Sequence, residues 1–343
     1  MDCKSLIFER PHKVAVKVEQ LPAPGPRQLL VETSLSAISA GTELLLYRGE
    51  FPGDMVIDAG LPGYGDQFAY PLPYGYAAVG RVIKTGEGVG REWLGTRVFA
   101  FKPHASHFLA LPEELYPLPA NVTEQEAVFL PGLETAVNLV QDAAPLLGEK
   151  VLITGQGVVG LLTAGLLSRF PLAALVSLDS YAIRRQASRK AGCHASLDPE
   201  DNRTGGQLAE LFQGPEMPGT ADLVLELSGN PAALNTALAW VGFAGRVIVG
   251  SWYGSKQAVL NLGGEFHRKR IELLSSQVST IAPRLTGRWD KRRRLAWSWA
   301  ELKRIGPAAL ISHEFAIEEA AQAYELLAGH PEGVLQVIFR YDR

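Results

Sequence analysis

The sequence predicts an α/β protein in which a β-rich module precedes a doubly wound parallel sheet with helices on both faces. Three observations predict it. Short apolar runs split by Pro and Gly clusters occupy residues 1–122, a pattern of strands and turns. From Lys150 onward, strand and helix signals alternate, as a parallel sheet requires. A glycine-spaced turn joins the first strand of that alternation to its first helix. With 343 residues the chain is long enough for two domains.

In chain order, LLVET (Leu29–Thr33), YAAVGRVI (Tyr76–Ile83) and RVFAF (Arg97–Phe101) read as strands, with PAPGP at Pro22–Pro26 as turn punctuation. Phe51–Tyr74 is rich in Gly, Pro and Tyr and has no periodicity, so a long loop is expected, either a lid or a surface excursion. Thr123 and Glu126 form a T-x-x-E capping box, in which hydroxyl and carboxylate each satisfy a spare backbone N–H at a helix start. Pro131 interrupts that run, and a second helical stretch follows with Ala136, Val137 and Val140 on one face. Next come the strand KVLIT, the helix GVVGLLTAGLLSRF, the strand ALVSLD and the helix YAIRRQASRKAG, which ends at Gly192. ADLVLELSG, the helical NPAALNTALAWVGF and the strand GRVIVGS continue the alternation. The chain closes with a long helix (RWDKRRRLAWSWAELKRIG), the helix IEEAAQAYELLAGH and the strand VLQVIFR, which either returns to the N-terminal module or extends the central sheet. The expected division is 1–122, 123–275 and 276–343.

Composition narrows the function. A formal net charge of -3, with 20% charged and 47% hydrophobic residues, gives no electrostatic reason to bind nucleic acid. The basic run Lys291–Arg294 (KRRR) reads as a solvated helix face. Cys3 and Cys193 are too few for a Cys-rich structural zinc site and are expected to be reduced. No signal peptide and no uninterrupted apolar stretch of about 18 residues is evident, so a cytoplasmic protein without a membrane span is expected.

VLITGQGVVG sets Gly155, Gly157 and Gly160 in G-x-G-x-x-G spacing directly after a strand. Gly155 allows the tight turn, Gly157 lets a pyrophosphate approach the backbone, and Gly160 lets the helix pack closely. Val158 and Val159 open that helix, whose free N–H groups and positive end suit phosphate. Further on, ALVSLD brings Asp179 to the end of the next strand, where a carboxylate accepts hydrogen bonds from ribose hydroxyls. That carboxylate would repel a 2'-phosphate, which favours NAD(H) over NADP(H). Arg184 and Arg185 nearby keep NADP(H) open.

SAGTE near the start, YGYAAVGRV, LETAVNLV, GQGVVG, DLVLELSG, GRVIVGS and the terminal FAIEEAAQAYELL together resemble the medium-chain dehydrogenase/reductase superfamily, over nearly the whole chain. SAISAGTE, SSQVSTI and RWDKRRR look most like its branch containing 2-desacetyl-2-hydroxyethyl bacteriochlorophyllide dehydrogenase. The resemblance implies a GroES-like β-rich catalytic domain completed by the C-terminal segment, a Rossmann domain, an interdomain cleft and a homodimer. Zinc members carry a Cys, a His and a Cys or Glu, and the matching positions here are Ala40, Tyr76, and Pro131 or Gly132. The four-cysteine lobe that would follow RVFAF is also missing, so no zinc is expected. His104 and His107 have no evident third ligand and are expected to be surface or hydrogen-bonded residues.

Without a metal, another group must stabilise the substrate oxygen and move a proton. The family's relay hydroxyl corresponds to Thr42, which alternatively caps the following helix. Tyr76 either donates to a carbonyl or fills the space a metal vacates, and Glu43 either acts as a base or pairs with a basic residue when buried, or else orders its loop by hydrogen bonds. Thr135 matches a residue bordering the nicotinamide. Ser228 and Gly229 follow the fourth strand, and Gly250, Ser251 and Trp252 the fifth, where open α/β sheets bind ligands. Trp252 and Tyr253 either line a substrate pocket or pack, and His267 and Arg268 read as a solvated turn. The expected activity is a zinc-independent hydride transfer between NAD(P)(H) and a small secondary alcohol or ketone. The alternatives are a quinone or enoyl reductase and a catalytically idle nucleotide-binding protein.

Overall fold

The computed structural model describes residues 1–53, 55, 68–214 and 219–341. Residues 54 and 56–67, about half of the stretch expected to form a lid or surface loop, lie outside the described residues. Two compact units are present: Met1–Pro131 with Trp299–Arg343, and Gly132–Ser298. Among the described residues, no helix is long and apolar enough to cross a membrane.

The second unit is built on six parallel strands in the order Ala195–Leu197, Ala174–Leu178, Lys150–Thr154, Ala221–Glu226, Val241–Val249 and Glu272–Ser275. Successive side chains in a strand point to opposite faces, so a strand covered on both sides must be apolar throughout. Lys150–Thr154 (KVLIT) is buried at every position. Leu152, Val176, Val224 and Val247 pack with Leu208, Phe212, Ala237 and Leu238 in one core. Val151, Ile153, Leu175, Leu223, Leu225 and Ile248 pack with Leu139, Ala143, Ala164 and Leu167 in another. The helix expected over NPAALNTALAWVGF stops at Trp240, and Val241 already belongs to the strand because it pairs with Ala221.

In the first unit, Leu29–Ala37 is the organising strand. It pairs antiparallel with Ala78–Thr85, His107–Ala110 and the closing strand Gln336–Arg340. The closing strand therefore returns to the N-terminal module, with Ile311–Ala316 parallel on its other side. Arg97–Ala100 and Leu115–Pro117 continue the sheet beyond Ala78–Thr85. A second, three-stranded sheet holds the hairpin Asp2–Arg10 with Lys13–Gln20, which the sequence reading did not identify. Phe8, Tyr47, Tyr74, Tyr324 and Phe339 share the core of this unit.

The Thr123–Glu126 capping box is formed and starts the helix Glu124–Ala127. Pro131 does not separate the two helices as expected. It lies in the first turn of Leu130–Ala143, where its missing N–H has no helical carbonyl to lose.

Candidate active site

In the first unit, Ser39 precedes the helix Ala40–Arg48, and Thr42 lies inside its first turn. Thr42 does not cap the helix. Its N–H donates to Ser39 O at 3.0 Å, and Ser39 occupies the cap position without a side-chain cap bond. The Ser39 hydroxyl bonds the Tyr76 hydroxyl, which also lies 3.2 Å from Thr42 Oγ1. Three hydroxyls therefore meet beside Ala40. Each is both donor and acceptor, so the cluster can hold an external oxygen and pass a proton along it. Ser39 was not singled out from the sequence, because a Ser before a helix reads as an ordinary cap.

Glu43, the next residue, is fully buried. Its Oε1 accepts the Ser39 N–H at 2.7 Å, while Oε2 lies 3.0 Å from His104 Nε2 and accepts the Tyr324 hydroxyl. His104 Nδ1 is 2.6 Å from Ser36 Oγ, which lies 2.7 Å from the Tyr341 hydroxyl. A Cβ on Gly75 (φ +119°) would stand 2.6 Å from the His104 ring, so that ring fits against the turn leading to Tyr76. The chain from Tyr324 through Glu43 and His104 thus fixes both segments that carry the hydroxyls. Burial pushes the Tyr324 phenol well above its ordinary range and Glu43 pushes it further, so it remains a donor. His104 is buried rather than superficial, and His107 Nδ1 lies 3.0 Å from Ser106 Oγ. Among the described residues, no three His, Cys, Asp or Glu side chains come together as a metal site.

The second unit carries the glycine turn. Gly155 has φ +88°, and a Cβ there would lie 2.5 Å from Ser228 N. A Cβ on Gly160 would lie 2.2 Å from Gly155 O, so helix and turn touch backbone to backbone. Gly157 differs: nothing stands within 4 Å of its Cβ position, and it leads the helix Val158–Leu167 without a side-chain cap. That open space in front of uncapped N–H groups, including those of Val158 and Val159, fits a pyrophosphate.

Asp179 follows the strand Ala174–Leu178. Its Oδ2 accepts Gln156 N–H at 2.7 Å and its Oδ1 accepts Tyr181 N–H at 2.9 Å. The carboxylate is thereby tied to the glycine turn, and each oxygen keeps a lone pair for a ribose hydroxyl. Arg184 Nη1 stands 4.0 Å from Asp179 Oδ2, with its guanidinium 4.7 Å from the Tyr181 ring centroid. Arg185 turns toward the carbonyls of Asp179 and Ser180 and the Asp198 carboxylate (2.9 Å). A Cβ on Gly250 would meet Leu139, from the helix that carries Thr135, at 2.5 Å. Gly229 N–H donates to Ser251 Oγ at 2.8 Å. The glycine turn, Asp179, Ser228, Gly250 and Ser251 are thus linked by direct contacts, while Trp252 is 37% exposed.

Two expectations resolve differently. His267 and Arg268 are exposed, as a solvated turn should be. In the basic run, Arg292 and Arg293 face solvent, but Arg294 is fully buried, which corrects the reading of a wholly solvated face. Its guanidinium holds Glu134 Oε1 at 2.8 and 3.0 Å and Asn138 Oδ1 at 2.6 Å. Charge clustering alone does not show which arginine of a helical run turns inward.

No protein-family model matches the chain. It is 21% identical to the starvation-sensing protein RspB of Escherichia coli (strain K12), with 99% of each chain covered. It is 22% identical to the sorbitol dehydrogenase of Gallus gallus, with 94% of this chain and 92% of that protein covered. Among solved structures, it is similar to a short chain alcohol dehydrogenase (rspB) from E. coli CFT073 complexed with the cofactor NADH. The TM-score is 0.78 at 18% identity, with 99% of both chains covered. The fold is thus that of alcohol dehydrogenase-like proteins.

Proposed function

We propose that this chain is an NAD(P)(H)-dependent oxidoreductase that interconverts a small secondary alcohol and its ketone without zinc. The observation that carries the reading is the glycine turn, open at Gly157 and tied to Asp179. Likeness to a sorbitol dehydrogenase supports it. A bound nicotinamide would supply the hydride acceptor or donor. The protein's own share is charge and proton handling: Thr42 and Tyr76 hold the substrate oxygen, and Ser39 shares their protons. Glu43 and His104 keep those hydroxyls in place. Ala40, Tyr76 and Pro131 or Gly132 do not make a zinc donor set, since a methyl group, a protonated phenol and a Pro or Gly offer no good ligand.

Asp179 favours NAD(H), and Arg184 beside it leaves a route for NADP(H). SAISAGTE and RWDKRRR support a place near the bacteriochlorophyllide dehydrogenase-like branch. The free, buried thiols of Cys3 and Cys193 suit the reducing cytoplasm, and a homodimer is the expected assembly. The test is turnover of NADH and NADPH with ketones, quinones and enones, before and after a strong chelator. Ketone reduction that survives chelation is expected, with Thr42→Val lowering kcat by about 10²-fold and Gly157→Trp abolishing turnover. Activity lost on chelation and restored by zinc would overturn the metal-free mechanism, and activity confined to enones or quinones would make it a reductase of that class.

A further inference from the structure

Glu226 ends the strand Ala221–Glu226 and is fully buried. It pairs on one side with Thr154, which leads into Gly155, and on the other with Val249, which leads into Gly250. Its carboxylate accepts Ser228 N–H at 2.8 Å, the Ser228 hydroxyl and the Tyr253 hydroxyl. These three donors are neutral. A carboxylate buried among neutral donors is less favourable than an apolar side chain would be at the end of an apolar strand, so stability does not explain it.

Its geometry does. Tyr253 and Ser228 lie on the loops that follow two neighbouring strands, and Glu226 joins them. Two more bonds cross between the same loops, from Gly229 N–H to Ser251 Oγ (2.8 Å) and from Lys256 Nζ to Gly229 O (2.9 Å). Ser228 in turn rests against Gly155, whose Cβ would lie 2.5 Å from it. Burial pushes the Tyr253 phenol far above its ordinary range and Glu226 pushes it further, so the hydroxyl stays protonated and donating.

We propose that Glu226 and Tyr253 are positioning residues for the cofactor: together they hold the Gly250–Trp252 segment against the Ser228–Gly229 loop and so fix the nicotinamide end of the dinucleotide. The inference rests on the dinucleotide-binding reading above and adds the residues that align one end of that ligand. The adenosine end depends on Asp179 instead, which makes the two ends separable.

The experiment compares NADH with ADP-ribose, which lacks the nicotinamide, by titration against wild type, Tyr253→Phe and Glu226→Gln. Tyr253→Phe removes one hydroxyl and leaves the ring. NADH is expected to bind about tenfold more weakly to it, with ADP-ribose within about twofold of wild type. Glu226→Gln, which keeps an acceptor for Ser228 N–H, is expected to show the same selectivity. Unchanged NADH binding, or equal weakening of both ligands, would overturn the proposal alone. Wild-type protein that binds neither ligand would overturn the dinucleotide reading and this inference with it.

Discussion

Gly157 and Gly160 are three residues apart in one motif yet bear different constraints. At Gly160 a methyl group would meet a backbone oxygen 2.2 Å away, which no rotamer change relieves. At Gly157 the same methyl meets nothing within 4 Å, so only a ligand would feel it. Gly160→Ala is therefore expected to destabilise the protein by roughly 2–4 kcal/mol, read by urea unfolding. Gly157→Ala should unfold like wild type but bind NADH about tenfold more weakly, because a Cβ occupies the pyrophosphate approach. A Gly157→Ala protein with wild-type NADH affinity would remove the cradle as the binding site. The spacing of these glycines was legible because backbone constraints leave their mark in local sequence. The hydroxyl cluster was only half legible: Thr42 and Tyr76 came from the resemblance. Ser39 and His104 act through contacts across 37 and 61 residues, and nothing local announces such a contact.

At the scale of the element, the capping box at Thr123 shows a local signal carried into structure without change. Burial acts to raise the Glu126 carboxyl, but Thr123 N–H and hydroxyl and Lys303 outweigh it and hold it below its ordinary 4.5. A carboxyl lowered in the folded state adds stability above its unfolded pKa and loses it as pH falls through the folded value. Glu126→Ala should thus cost about 1 kcal/mol at pH 7, with the gap to wild type narrowing below pH 4.5. Equal gaps at pH 7 and about pH 3.5, by urea titration, would count against the ionised cap. Elements set by distant pairing were harder to read. The hairpin Asp2–Arg10 with Lys13–Gln20 turns at His12 (φ 59°), without the Gly or Asn that usually marks such a turn. Val241 leaves its helix pattern because Ala221, far back in the chain, supplies its strand partner. Arg294 likewise becomes a core residue only because Glu134 and Asn138 meet it there.

At the scale of the whole molecule, the parallel sheet ends, among the described residues, at Glu272–Ser275, the last strand in its order. Its outer edge presents backbone donors and acceptors, and Leu274 is 44% exposed on it. An open edge with an exposed apolar side chain invites strand addition unless charge or Pro blocks it, and within Glu272–Ser275 the only charge is Glu272. A second copy of the chain would supply a matching edge by twofold symmetry, which would bring each Leu274 toward its counterpart. Sedimentation velocity should therefore find a dimer for wild type. Leu274→Asp would set two carboxylates against each other in a partly dehydrated contact and weaken association by about 10²-fold, while the monomer fold is unaffected because the position faces outward. A wild-type monomer, or a dimer that Leu274→Asp leaves equally tight, would place any association on another surface.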